Sequence, residues 1–239
     1  MTEKSIPTRD RLIFAMDVAD CGRARALADE LGDAVTFYKI GLELMMTGEY
    51  FDLLAWLLAR DKKVFCDLKF FDIPATVGAA VRQLKGRGAS FVTVHGNQSI
   101  MEAAAENKGD YLKVLGVTVL TSLDRGDLDD LGFDCDVGSL VLSRAKRALA
   151  AGCDGVISSG LEVPRLREFI DSKLLVVTPG IRPVENKPDG DQKRVVTVDK
   201  AFSNGADYIV VGRPIRDAES PRAAAEAIQA TIATQVEFA

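Results

Sequence analysis

Histidine is almost missing from this sequence: His95 is the only one among 239 residues, and the four cysteines, Cys21, Cys66, Cys135 and Cys153, are widely and irregularly spaced. A zinc site, which gathers closely spaced Cys and His ligands, has little to build on, so no metal is expected. Cysteines without a CxxC pair fit a reducing, cytoplasmic compartment. No stretch approaches the ~20 apolar residues that span a bilayer. Residues 1–10, MTEKSIPTRD, form a polar N-terminal lead without the apolar core of a signal peptide, so no membrane partner is expected either. Thirty basic against 35 acidic side chains leave a net charge of −5 with no Lys/Arg run, which argues against nucleic acid as a partner. The first apolar run is not followed by GxGxxG and no GxxxxGKS/T occurs, so dinucleotide and Walker-type phosphate loops have no support.

What the sequence has is 47% hydrophobic residues arranged in a repeating order. Short apolar, β-rich runs at 11–18, 35–41, 63–70, 91–96, 111–120, 155–160, 174–180 and 208–213 read as eight strands. Between them, Ala/Leu/Arg/Glu-rich segments at 22–32, 49–60, 75–87, 98–107, 138–151, 162–171 and 198–204 read as helices, with a last one from about 220 to 235. Phe51 and Trp56 sit at helical spacing and are expected in the core, while 124–137 fits neither an outer helix nor a lid in preference to the other. Nearly continuous apolar strands are buried on both faces. Eight βα units without a composition break therefore predict one α/β domain over 1–239, a single (β/α)8 or TIM barrel. The polar stretch 182–193 after the seventh strand suits a mobile loop at the active-site face.

The candidate chemistry lies at strand ends. Side chains alternate along a strand, so Asp67 and Lys69 share a face, as do Phe37, Lys39 and Gly41, while Asp17 ends the first run. If these faces point inward, Asp17, Lys39, Asp67 and Lys69 converge at the top of the barrel, with Asp72 just beyond, where Pro74 can open the next helix. Opposite charges about 4 Å apart gain roughly 4 kcal/mol at an effective dielectric near 20, but desolvation can cancel that gain. A structural ion-pair network at the barrel mouth stays open as the plainer reading. In the functional one, a lysine between carboxylates favours its charged form and suits proton delivery better than Schiff-base formation, which needs a neutral amine. Gly212 and Arg213 after the eighth strand, with Arg182 after the seventh, form a candidate phosphate site, although a Gly-Arg-Pro turn is also an ordinary strand exit. Thr121 and Ser122 either bind a polar ring or simply turn the chain. His95, with no carboxylate neighbour in sequence, reads as a packed or lining residue and not as a base.

Together these motifs resemble the orotidine 5′-phosphate decarboxylase family over nearly the whole chain. The resemblance rests on Asp17-Val18, Phe37-Tyr38-Lys39-Ile40-Gly41, the block DLKFFDIPAT at 67–76, Val119-Leu120-Thr121-Ser122, TPGIRP at 178–183, Gly190-Asp191-Gln192 and Gly212-Arg213-Pro214. It implies a cofactor-free lyase that converts orotidine 5′-monophosphate to UMP and CO2 in de novo pyrimidine biosynthesis. It implies Lys69, Asp67, Asp72 and Lys39 as the catalytic array and Asp17 and Lys39 as ribose contacts. It puts Thr121 with Ser122 near the pyrimidine and Arg182, Gln192, Gly212 and Arg213 on the phosphate side. It further implies a homodimer in which Asp72 and Thr76 reach into the neighbouring subunit's site. Two other readings remain: a Mg²⁺-dependent phosphosugar enzyme of the same suprafamily, and a nucleotide-binding barrel without activity.

Overall fold

Each apolar run forms a strand, and all eight pair in parallel in chain order until β8 meets β1, closing a barrel. In the computed structural model, which describes residues 4–182 and 194–237, they are β1 (Leu12–Ala15), β2 (Phe37–Ile40), β3 (Lys63–Phe70), β4 (Phe91–Val94), β5 (Lys113–Val117), β6 (Gly155–Ile157), β7 (Leu175–Thr178) and β8 (Tyr208–Val211). Most are shorter than the runs that mark them. The C-terminal residues of the runs, such as Asp17, His95 and Gly212, leave the ladder and form the loops of the active-site face.

Helices cover the outside: α1 (Cys21–Leu31), α2 (Leu42–Met45), α3 (Tyr50–Leu58), α4 (Pro74–Lys85), α5 (Gln98–Asn107), α6 (Arg125–Asp130), α7 (Val137–Ala150), α8 (Val163–Phe169), α9 (Val198–Ser203), α10 (Arg213–Arg216) and α11 (Pro221–Glu237). Short polar side chains start several of them: Asp20, Asn97, Asp136 and Thr197 each accept a backbone N–H of the first turn. Segment 124–137 contains the short helix α6, opened by a reciprocal capping box between Asp124 and Asp127. Phe51 and Trp56 differ from the expectation of core burial. Both lie at the margin, only half-buried, with the Arg87 and Arg60 guanidinium groups stacked on their rings at 3.8 and 3.7 Å.

Two apolar layers hold the barrel. Outward residues of the strands pack against the helices, and inward residues fill the barrel: Ile13, Ala15, Phe37, Phe65, Phe91, Leu115, Leu175, Val177, Tyr208 and Val210. Phe91 is central to this inner layer, with ring centroids 4.9 Å from Phe37, 5.2 Å from Tyr208 and 5.9 Å from Phe65. The polar lead is tied to the opposite end from the site. Lys4 donates to Asp207 and to the Leu174 carbonyl, and Arg167 also grips Asp207.

Candidate active site

The alternation that sends Ala15, Phe37, Phe65 and Phe91 into the barrel sends the next inward residue of each chain segment, Asp17, Lys39, Asp67 and Thr93, to its C-terminal mouth. There the charges alternate in sign. Lys39 Nζ lies 3.0 Å from Asp17 and 3.5 Å from Asp67, and Lys69 Nζ lies 2.8 Å from Asp67. Asp67 is the centre of the array: it takes both ammonium groups and a 2.8 Å hydrogen bond from the Thr93 hydroxyl. Burial would raise its pKa, but Lys39 and Lys69 outweigh that and hold the carboxyl below the usual carboxylate range. Burial would likewise lower Lys39, yet the carboxylates of Asp67 and Asp17 keep its pKa above that of an ordinary lysine.

Lys69 reaches this position through an unusual backbone. Its φ is +47°, and the β3–β4 register shifts between Cys66 and Phe70. A left-handed conformation in a residue with a Cβ costs about 1–2 kcal/mol, so the surroundings must enforce it. Thr93 does so: its hydroxyl accepts the Lys69 N–H at 3.0 Å while donating to Asp67. One buried side chain thus fixes the backbone of the lysine and the carboxylate beside it.

Asp17, Lys39, Asp67, Lys69, Thr121, Arg182, Gly212 and Arg213 all line one cavity of about 430 Å³. Its floor is apolar, formed by residues such as Ala15, Phe65 and Val210. The charge array occupies the side of β1–β3, and Arg182, Arg213 and Arg216 line the side of β7 and β8. Gly212 sits where β8 approaches β1 closely: a Cβ there would lie 3.3 Å from that of Ala15, a tight contact. Three guanidinium groups facing an alternating Lys/Asp array suit a ligand with an anionic tail and a reactive head over β3.

Some expected residues lie elsewhere. Asp72 and Thr76 are exposed. The Asp72 carboxylate accepts its neighbour's Ile73 N–H at 2.6 Å, and among the described residues no ion pair joins it to Lys69. Ser122 is not among the cavity's lining residues. Gln192, and with it all of the 182–193 loop except Arg182, falls outside the described residues. His95 packs against the exposed Phe71 ring at 5.6 Å, and burial, then Arg144 and Lys69, lower its pKa, so the imidazole is favoured in its neutral form. Thr93 and Arg216 were not anticipated. The place of Thr93 two residues beyond Phe91 on an apolar strand is a usable signal, whereas Arg216, which donates to the Asp17 carbonyl at 2.7 Å, depends on the short turn α10.

Among the described residues, no group of three His, Cys, Asp or Glu side chains is placed to hold a metal ion, and no helix is long and apolar enough to cross a membrane. The model of the orotidine 5′-phosphate decarboxylase / HUMPS family matches residues 10–228. The chain is 68% identical over 232 residues to the orotidine 5′-phosphate decarboxylase of Methylococcus capsulatus, covering 97% of this chain and 96% of that one. It is 50% identical to that of Stenotrophomonas maltophilia, over 98% of both. Among solved structures, the orotidine 5′-phosphate decarboxylase of Lactobacillus acidophilus superposes with a TM-score of 0.82 at 36% identity, over 93% of this chain and 99% of that one. With the family model, the full-length relatives and the shared barrel in agreement, the chain belongs to the orotidine 5′-phosphate decarboxylase / HUMPS family.

Proposed function

We infer that this protein decarboxylates orotidine 5′-monophosphate to UMP and CO2, the last step of de novo pyrimidine biosynthesis, as a cytoplasmic, cofactor-free lyase. The observation that carries this reading is the array Asp17–Lys39–Asp67–Lys69 facing an arginine-lined wall across one cavity. When the C6–carboxylate bond breaks, the electron pair stays on C6 in an sp² orbital with no ordinary sink, and CO2 leaves. A fixed ammonium stabilises that charge directly. Lys69 then transfers a proton to C6, completing UMP, and regains one from solvent. Asp67 orients Lys69 and sits near the departing carboxylate; Lys39 and Asp17 hold the ribose hydroxyls; Thr121 faces the pyrimidine. Arg182, Gln192, Gly212 and Arg213 hold the phosphate. Binding energy from this remote group contributes to the reacting geometry, so orotidine without phosphate should lose kcat as well as affinity.

A homodimer completes the site. Asp72 lies between Phe71 and Ile73, which are 70% and 66% exposed, and Thr76 follows one turn later. Large apolar side chains flanking an exposed carboxylate suit burial against a second copy, which would bring Asp72 and Thr76 to the partner's Lys69. The test is purified protein with orotidine 5′-monophosphate in EDTA, following loss of the orotate chromophore and formation of UMP. Turnover is expected. No turnover, or turnover only after Mg²⁺ is added, would favour the phosphosugar reading instead.

A further inference from the structure

Behind the cavity wall formed by Val119, Leu120 and Thr121 lies an ion pair that the chemistry above does not use. Arg194 Nη1 and Glu162 Oε1 are 2.6 Å apart, with the two side chains 11% and 12% exposed. The second terminal nitrogen of the same guanidinium donates to the Leu120 carbonyl at 2.9 Å and the Val119 carbonyl at 3.2 Å. One side chain therefore joins the segments that follow β5, β6 and β7.

The base of Arg194 is itself fixed. Two residues on, Val196 N–H donates to the Gly180 carbonyl at 3.1 Å, and its own carbonyl accepts Arg182 N–H at 3.0 Å. Val196 also lies so close to Gly160 that any Cβ there would collide with it. Glu162 is fixed by its own backbone at the start of α8.

Stability is a poor account of this arrangement. A buried ion pair loses much of its Coulombic gain to desolvation, and here, among the described residues, Arg194 Nε and Glu162 Oε2 find no hydrogen-bond partner. What the pair supplies is geometry. A planar guanidinium held by a carboxylate presents donors in fixed directions, and these take two successive carbonyls immediately before Thr121. Val119, Leu120 and Thr121 all line the cavity.

We propose that Arg194, oriented by Glu162, is a positioning residue that holds the Val119–Thr121 wall and so sets the fit of the pyrimidine ring. The proposal rests on the decarboxylase reading. Its test compares dissociation constants for UMP, which carries the ring, and ribose 5-phosphate, which does not, in wild type, Arg194→Met, Arg194→Lys and Glu162→Gln. Arg194→Met is expected to weaken UMP about tenfold or more while changing ribose 5-phosphate less than about threefold. Arg194→Lys should rescue little, because an ammonium cannot reproduce the fork, and the isosteric Glu162→Gln should shift UMP in the same direction by less. Equal weakening of both ligands, or no weakening of UMP, overturns the proposal. If Arg194→Met does not fold, Glu162→Gln decides the matter in the same way. Failure of the wild type to bind UMP at all would instead count against the decarboxylase reading.

Discussion

Lys69 combines a strained backbone with a charge partner that is itself shared, and both depend on Thr93. Thr93→Val keeps the shape of the side chain but removes a donor to a carboxylate and an acceptor from a strained N–H. It is expected to cost about 1.5–3 kcal/mol in urea unfolding and to lower kcat at least tenfold with little change in KM. An unchanged kcat would show that the Lys69 backbone holds without this support. His95 offers a second test at this scale. Its pKa is below the ordinary 6.5, because of burial and then the Arg144 and Lys69 cations. As pH falls through 6.5, the unfolded chain takes up a proton that the folded protein resists. The stability this group confers is therefore complete above that value and declines below it. No other histidine titrates in this window. Thermal melts between pH 7.5 and 5 should fall more steeply for wild type than for His95→Gln, and parallel slopes would contradict this.

At the scale of elements, strand alternation does most of the positioning. The rule that places Phe37, Phe65 and Phe91 inside places Lys39, Asp67 and Thr93 above them, which is why Asp17, Lys39 and Asp67 were readable as one group from the sequence alone. Phe91 supports that mouth from below through three aromatic contacts. Phe91→Ala should destabilise the barrel by about 3–5 kcal/mol in denaturant titration. A loss under 1 kcal/mol would mean that the inner layer repacks freely. Other features were less legible for identifiable reasons. Nothing about a lysine announces a positive φ; the acceptor that its N–H meets there, Thr93, comes from another strand. The turns α6 and α10 are too short for periodicity and depend on capping and on Pro214. Arg194 and Glu162 stand 32 residues apart and meet only because the barrel brings the ends of β6 and β7 together.

The whole molecule poses the question of the second subunit. In one chain Asp72 and Thr76 are exposed, beside the exposed Phe71 and Ile73, and among the described residues no ion pair joins Asp72 to the Lys69 of its own subunit. If each site takes Asp72 from its neighbour, Lys69→Ala and Asp72→Asn should each be inactive alone, yet regain activity when mixed. In an equal mixture half the dimers are hybrids and each hybrid has one intact site, so recovery should approach about a quarter of wild-type activity. No recovery after verified subunit exchange would place Asp72 in its own subunit's chemistry or outside the site.

In the proposed reaction an ammonium held over β3 stabilises and protonates the carbanion. The most direct measurement is decarboxylation of orotidine 5′-monophosphate by wild type and Lys69→Ala, with UMP affinity determined on the same preparations. The account predicts that kcat falls by at least about a thousandfold while UMP binding stays within about tenfold, because the group is needed for the transition state more than for the product. A Lys69→Ala variant that decarboxylates at a rate near wild type would contradict it.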